Sequence, residues 1–125
     1  MILLDTSFLI SALVAGGPAD KLLREWLASS QSVRTCTMVW AEFLCGPVSV
    51  TQIEFAAALL TTHEPLLTED AAGGASLFNQ TGRRRGSLAD CLIAATCLRL
   101  KAQLATANRD DFQRFEPMGL SLSSP

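Results

Sequence analysis

At 125 residues and 13.4 kDa the chain has the size of one domain, 1–125, and its 49% apolar residues suffice for a core that needs neither disulfides nor a structural metal. Ten Lys and Arg against twelve Asp and Glu leave a net charge of −2, which excludes a polyanion binder held by bulk positive charge; a nucleic-acid role requires a local basic patch or a metal. Apolar runs fall far short of the ~20 residues of a membrane span, and Met1–Asp5 lacks a basic leader region, so a cytoplasmic protein with no membrane partner is expected.

In chain order, Met1–Leu4 reads as a short apolar strand ending at Asp5. Thr6 or Ser7 is placed to cap the apolar segment Phe8–Val14, which Gly16-Gly17-Pro18 breaks. Ala19–Ala28 has one apolar helical face of Leu22, Leu23, Trp26 and Leu27. Val33–Thr37 alternates like a strand, and Thr37 is placed to cap a helix Met38–Cys45 that Gly46-Pro47 ends. A further helix carries Ile53, Phe55, Ala56, Leu59 and Leu60, followed by a short extended piece at Glu64–Leu67. Thr68-Glu69-Asp70 opens a helix toward Thr81 that Gly73-Gly74 weakens by about 1 kcal/mol per glycine. After the basic turn Gly82–Ser87 comes a strong helix to Leu100 with Leu92, Ile93, Thr96 and Leu100 on one stripe. Gln103–Ala107 reads as a strand, Asn108–Phe115 as a turn or short helix, and Leu120–Leu122 as a last edge strand. The alternation predicts an α/β protein, its mainly parallel sheet of about four or five strands flanked by helices.

Four cysteines, Cys36, Cys45, Cys91 and Cys97, include no C-x-x-C pair, and the single His63 has no cysteine close to it. They read as small buried apolar side chains.

The carboxylates are more informative. Asp5 ends an apolar strand, and Glu42 interrupts the apolar helix around Trp40 and Phe43, where a long charged side chain is rarely buried unpaired. Asp90 opens the apolar helix before Leu100, and Asp110-Asp111 follow the strand Gln103–Ala107. Each alone is explained by a cap, a helix-start charge or a polar turn. Together they fall where a parallel sheet gathers its ligands, beyond the carboxyl ends of the strands. Carboxylates brought together repel unless a cation neutralises them. An all-oxygen set suits Mg²⁺ or Mn²⁺ over Zn²⁺, and such ions serve phosphodiester hydrolysis.

These residues resemble the PIN-domain family, and within it the VapC-type toxin ribonucleases of toxin–antitoxin pairs. The matching pieces span nearly the whole chain: Met1-Ile-Leu-Leu-Asp5-Thr6-Ser7, Val39-Trp-Ala-Glu42-Phe, Leu88-Ala-Asp90-Cys-Leu-Ile-Ala94-Ala95-Thr96, and Leu104-Ala-Thr106-Ala-Asn108-Arg-Asp-Asp111-Phe112. No single motif is specific; all four in this order are. The resemblance implies a three-layer α/β/α sandwich and a metal-dependent endoribonuclease with a Mg²⁺ or Mn²⁺ cofactor. It implies that Asp5, Asp90 and Glu42 meet the metal and that Asp111 is the fourth catalytic acid, with Asp110 the weaker choice. Many members carry an acid where this chain has Asn108, which offers an amide oxygen but no charge. Thr6, Ser7, Thr106 and Asn108 then hold the carboxylates from behind.

Arg83-Arg84-Arg85 is either a solvated run or a contact for RNA phosphates. The apolar face of Phe8, Leu9, Leu13, Leu22, Leu23 and Trp26 is either core or, as the resemblance implies, a groove for a cognate antitoxin helix. The resemblance also implies a homodimer. The rival readings are a PIN-like RNA- or partner-binding module with weak or lost catalysis, and another Mg²⁺ phosphotransfer enzyme. The latter lacks its Asp-x-Asp or glycine-rich phosphate loop here.

Overall fold

The computed structural model describes residues 1–123. Five parallel strands form one sheet: β1 (Ile2–Leu4), β2 (Val33–Cys36), β3 (His63–Glu64), β4 (Gln103–Ala105) and β5 (Ser121–Leu122), in the order β3-β2-β1-β4-β5. The helices are α1 (Thr6–Ala12), α2 (Pro18–Ala28), α3 (Thr37–Cys45), α4 (Val50–Leu59), α5 (Thr68–Gln80), α6 (Leu88–Leu100) and α7 (Arg109–Phe112), with a 3₁₀ segment at Gln113–Met118. The three-layer arrangement expected from the sequence is the one observed.

The chain builds outward from β1 through β2 to β3, then crosses to β4 on the other side of β1. Right-handed crossovers therefore put the early and late helices on opposite faces. Strand alternation feeds both layers. Ile2 and Leu4 pack with Phe8, Leu9, Leu23 and Phe43 on one face. Leu3 and Leu104 pack with Ile93, Ala94, Phe112 and Phe115 on the other. The reversal of strand order lies between β1 and β4, and a parallel sheet opens a ligand crevice at that point.

Several local expectations are corrected. Thr6 and Ser7 do not cap α1; Asp5 holds the cap position, and its carboxylate makes no cap hydrogen bond because it is held elsewhere. Thr37 is likewise inside α3, with Cys36 at its cap position. The Gly73-Gly74 pair does not weaken α5 into uncertainty. A Cβ at Gly74 would sit 2.6 Å from Leu92 Cδ2, so Gly74 lets α5 lie close against α6, whereas a Cβ at Gly73 would make an ordinary 3.4 Å contact with Ala95. The Asp70 carboxylate accepts the Leu67 N–H at 2.9 Å and the Arg99 Nε–H at 2.8 Å, tying the start of α5 to α6. Three cysteines are buried as expected, but Cys45 is exposed, because it ends α3 immediately before the Gly46-Pro47 break. All four are free thiols. Among the described residues no helix is long and apolar enough to cross a membrane.

Candidate functional site

Parallel strands put all their carboxyl ends on one edge, and the suspected acids emerge there. Asp5 follows β1 directly, and its backbone N–H donates to Ala105 O at 2.9 Å, continuing the ladder to the end of β4. The residue is 4% exposed. Its Oδ2 accepts two hydroxyl protons, from Ser7 at 2.8 Å and from Thr106 at 2.7 Å. Ser7 Oγ also accepts the Ala107 N–H at 3.0 Å, so the carboxylate is clamped between the start of α1 and the end of β4. This is why Thr6 and Ser7 are not capping residues: their hydroxyls are committed to acids. The Thr6 hydroxyl donates to Glu42 Oε1 at 2.8 Å, which brings a carboxylate from α3 to the same edge.

Asp90 sits in the first turn of α6. Its carboxyl is pushed up to about 6, first by burial and then by the charges of Asp5 and Asp111, with Glu42 adding to them and Arg114 opposing them. Asp90 therefore feels each of the other three suspected acids. Asp110 and Asp111 are both exposed in the first turn of α7, and Asp111 is the one of the two whose charge contributes notably to the rise at Asp90.

Two expected participants are placed less closely. Asn108 is exposed and donates its backbone N–H to Thr106 Oγ1 at 3.0 Å, while its side chain makes no hydrogen bond among the described residues. The arginines lie in an exposed turn before α6, bracketed by Gly82 and Gly86 with φ of +86° and +81°. Arg83 lies 5.5 Å over the Phe78 ring and bonds Asn79 Oδ1, so Arg84 and Arg85 are the two turned outward without a recorded partner among the described residues.

The sequence reading missed Arg114. It lies in the 3₁₀ segment, with its guanidinium 4.6 Å over Phe115 and its Nη2 4.0 Å from Asp90 Oδ2. The available signal was its spacing, one turn beyond Asp111, but a lone arginine after a polar turn reads as surface.

The acids do not form a closed cage: among the described residues no three Asp, Glu, His or Cys side chains converge as ready-made metal ligands. The donor set still fits a hard divalent cation. All donors are oxygens and hydroxyls preorient them, while burial and mutual repulsion hold Asp90 partly protonated near pH 6. Mg²⁺ in particular keeps several of its waters and needs few direct carboxylates.

Beside this edge a groove of about 620 Å³ runs between α1 and α2, lined chiefly by Phe8, Val14, Pro18, Ala19 and Leu22, and ends at Thr106 and Ala107. The apolar face noted in the sequence is thus divided. Leu9 and Leu23 are core, Phe8 is buried in the core yet reaches the groove wall beside Leu22, and Trp26 stacks on Phe8 at 5.4 Å.

Comparison with known proteins agrees with the architecture. The chain is similar to the VapBC2 structure from Rickettsia felis bound to a promoter DNA fragment, with a TM-score of 0.79, 22% identity and 98% of each chain covered. It is similar to a toxin–antitoxin complex from Klebsiella pneumoniae (TM-score 0.72, 23% identity, 90% of each chain). VapBC-1 from nontypeable Haemophilus influenzae gives a TM-score of 0.70 at 23% identity, covering 99% of this chain and 98% of that one. No curated protein matches by sequence. The PIN domain family matches over residues 2–116, and the chain belongs to that family.

Proposed function

We propose that this PIN domain is a divalent-metal-dependent endoribonuclease acting as the toxin of a toxin–antitoxin pair. The observation that supports the reading is the acid edge: Asp5 and Glu42 are oriented by hydroxyls from Ser7, Thr106 and Thr6, and Asp5, Asp111 and Glu42 all repel the charge of half-buried Asp90, whose carboxyl is pushed up to about 6. Carboxylates that repel one another in this way favour a site that takes a cation.

In this reading Asp5, Glu42 and Asp90 hold Mg²⁺ or Mn²⁺, directly or through water. The bound ion supplies Lewis-acid stabilisation of phosphoryl charge and acidifies water. The chain's own residues do the positioning. Ser7 and Thr106 fix the Asp5 carboxylate, and Thr6 fixes Glu42. Asp111, exposed at the rim, accepts a proton from an attacking water. Arg84 and Arg85 contact phosphates flanking the cut.

Two of the structures to which the chain is similar are VapBC assemblies and a third is a toxin–antitoxin complex. With the apolar α1–α2 groove, this supports a cognate antitoxin helix as the protein partner. The same reading expects a homodimer, which sedimentation of the purified chain tests.

The activity test is incubation with total cellular RNA, with Mn²⁺, with Mg²⁺ and with chelator, beside Asp5→Asn and Glu42→Gln. Discrete fragments that require the ion and vanish in both variants are expected. A folded wild type that cuts no RNA under any ion but still binds it points instead to the binding module, with Asn108 in place of an acid as the lesion.

A further inference from the structure

We propose that Arg114 is the built-in counter-cation of Asp90: in the cation-free pocket its guanidinium closes on that carboxylate, and a divalent cation takes its place. The second half rests on the metal reading above; the first half does not.

Among the described residues, the buried side-chain nitrogen and oxygen atoms without a hydrogen-bond partner are Nε and Nη2 of Arg114. Buried polar atoms are nearly always paired, and an unpaired one calls for a physical account. Asp90 is the complementary anomaly. Asp5 receives two hydroxyl protons and Glu42 one, whereas no hydroxyl or amide among the described residues holds Asp90. The unheld acceptor Asp90 Oδ2 and one of the unpaired donors, Arg114 Nη2, lie 4.0 Å apart, beyond a hydrogen bond by roughly 1 Å.

A phosphate of the substrate is the competing partner for Arg114, and the burial argues against it. The side chain is 16% exposed, and the two unpaired nitrogens have essentially no accessible surface. A phosphate oxygen reaches them only if the guanidinium leaves Phe115, whereas Asp90 requires a small torsional change. Of the other arginines, Arg109 donates to Ser123 O at 2.9 Å and Arg83 lies on Phe78, while Arg84 and Arg85 are exposed in the turn before α6. The Arg114 charge also opposes the rise of the Asp90 carboxyl. A guanidinium and a divalent ion neutralise the same carboxylate, so their occupancies oppose each other.

The test is a double-mutant cycle in urea at pH 8, using wild type, Arg114→Met, Asp90→Asn and the double variant, each in chelator and in saturating Mn²⁺, with Mn²⁺ affinity read by calorimetry. Met keeps the contact with Phe115. In chelator, Arg114→Met is expected to lower the urea midpoint when Asp90 is present. In the Asp90→Asn background it is expected to have less than half that effect, and Arg114→Lys to recover most of the loss in the otherwise wild-type chain. Mn²⁺ is expected to bind Arg114→Met at least about threefold tighter than wild type and to raise its midpoint further. Equal losses in both backgrounds overturn the proposal, because Arg114 then only packs on Phe115. Weaker Mn²⁺ binding by Arg114→Met also overturns it, because the arginine then supports the ion instead of yielding to it. If wild type binds no Mn²⁺, the metal reading and the displacement half fall together, and the cycle in chelator still decides the pairing.

Discussion

Once Arg114→Met removes the opposing guanidinium, replacing Asp90 with Asn should make the cation-free protein more stable. Asp90 titrates at about 6 in the folded chain against an ordinary 3.8, chiefly because it is buried and then because Asp5 and Asp111 repel its charge. A folded-state value above the unfolded one means that ionisation opposes folding. The penalty is absent below the unfolded value, grows between pH 3.8 and about 6, and is complete above pH 7. The full rise sets a ceiling of about 3 kcal/mol. Because the side chain is 27% exposed, solvent screening reduces this to roughly 1–2 kcal/mol. Urea denaturation in chelator should therefore show Arg114→Met with Asp90→Asn more stable than Arg114→Met alone by about that amount at pH 8, with the gain shrinking toward zero as the pH falls from 7 to 4. A double variant that is less stable than Arg114→Met at pH 8, or whose gain is the same at both ends of the range, would refute the argument that the acids repel one another in the folded pocket.

Three further outcomes follow from the geometry. Thr106→Val removes one of the two hydroxyls on Asp5 Oδ2 and should weaken Mn²⁺ binding by about 10- to 100-fold with little loss of thermal stability, as calorimetry and a melting curve will show. Gly74→Ala forces a methyl group to 2.6 Å from Leu92 Cδ2 and should cost about 1–3 kcal/mol in urea denaturation; an unchanged midpoint would mean that α5 does not need Gly74 to approach α6. Arg84→Ala with Arg85→Ala should weaken RNA affinity and flatten its salt dependence by about 2 in slope, while Arg83→Ala, whose guanidinium already lies on Phe78, should change both less.

The parts of the site that were legible in the sequence are those where a charge interrupts an apolar pattern. Asp5 at the end of Ile2–Leu4 and Glu42 beside Phe43 stand out because strand and helix periodicity demand something else there. Most strand positions follow from the same alternation, but β3 is only His63–Glu64, where the sequence suggested an extended piece at Glu64–Leu67 and no alternation marks a strand. What was not legible depends on contacts between distant segments. Thr6 and Ser7 look like caps until Glu42 and the end of β4 are brought beside them. The choice between Asp110 and Asp111 depends on the register of the one-turn helix α7, which no periodicity fixes. Gly73 and Gly74 lower local helix propensity, and only the packing of α6 reveals why Gly74 is there. Arg114 was invisible because its significance lies in what it lacks, a partner for two buried nitrogens.

The central claim is that the acid edge cuts RNA with the help of a divalent ion. The most direct measurement is the single-turnover cleavage rate of one end-labelled RNA across a Mn²⁺ titration, for wild type and Asp5→Asn. A rate that rises and saturates for wild type, falls to background in chelator and stays flat for Asp5→Asn is predicted. Cleavage that persists in chelator, or that Asp5→Asn retains, would contradict the account.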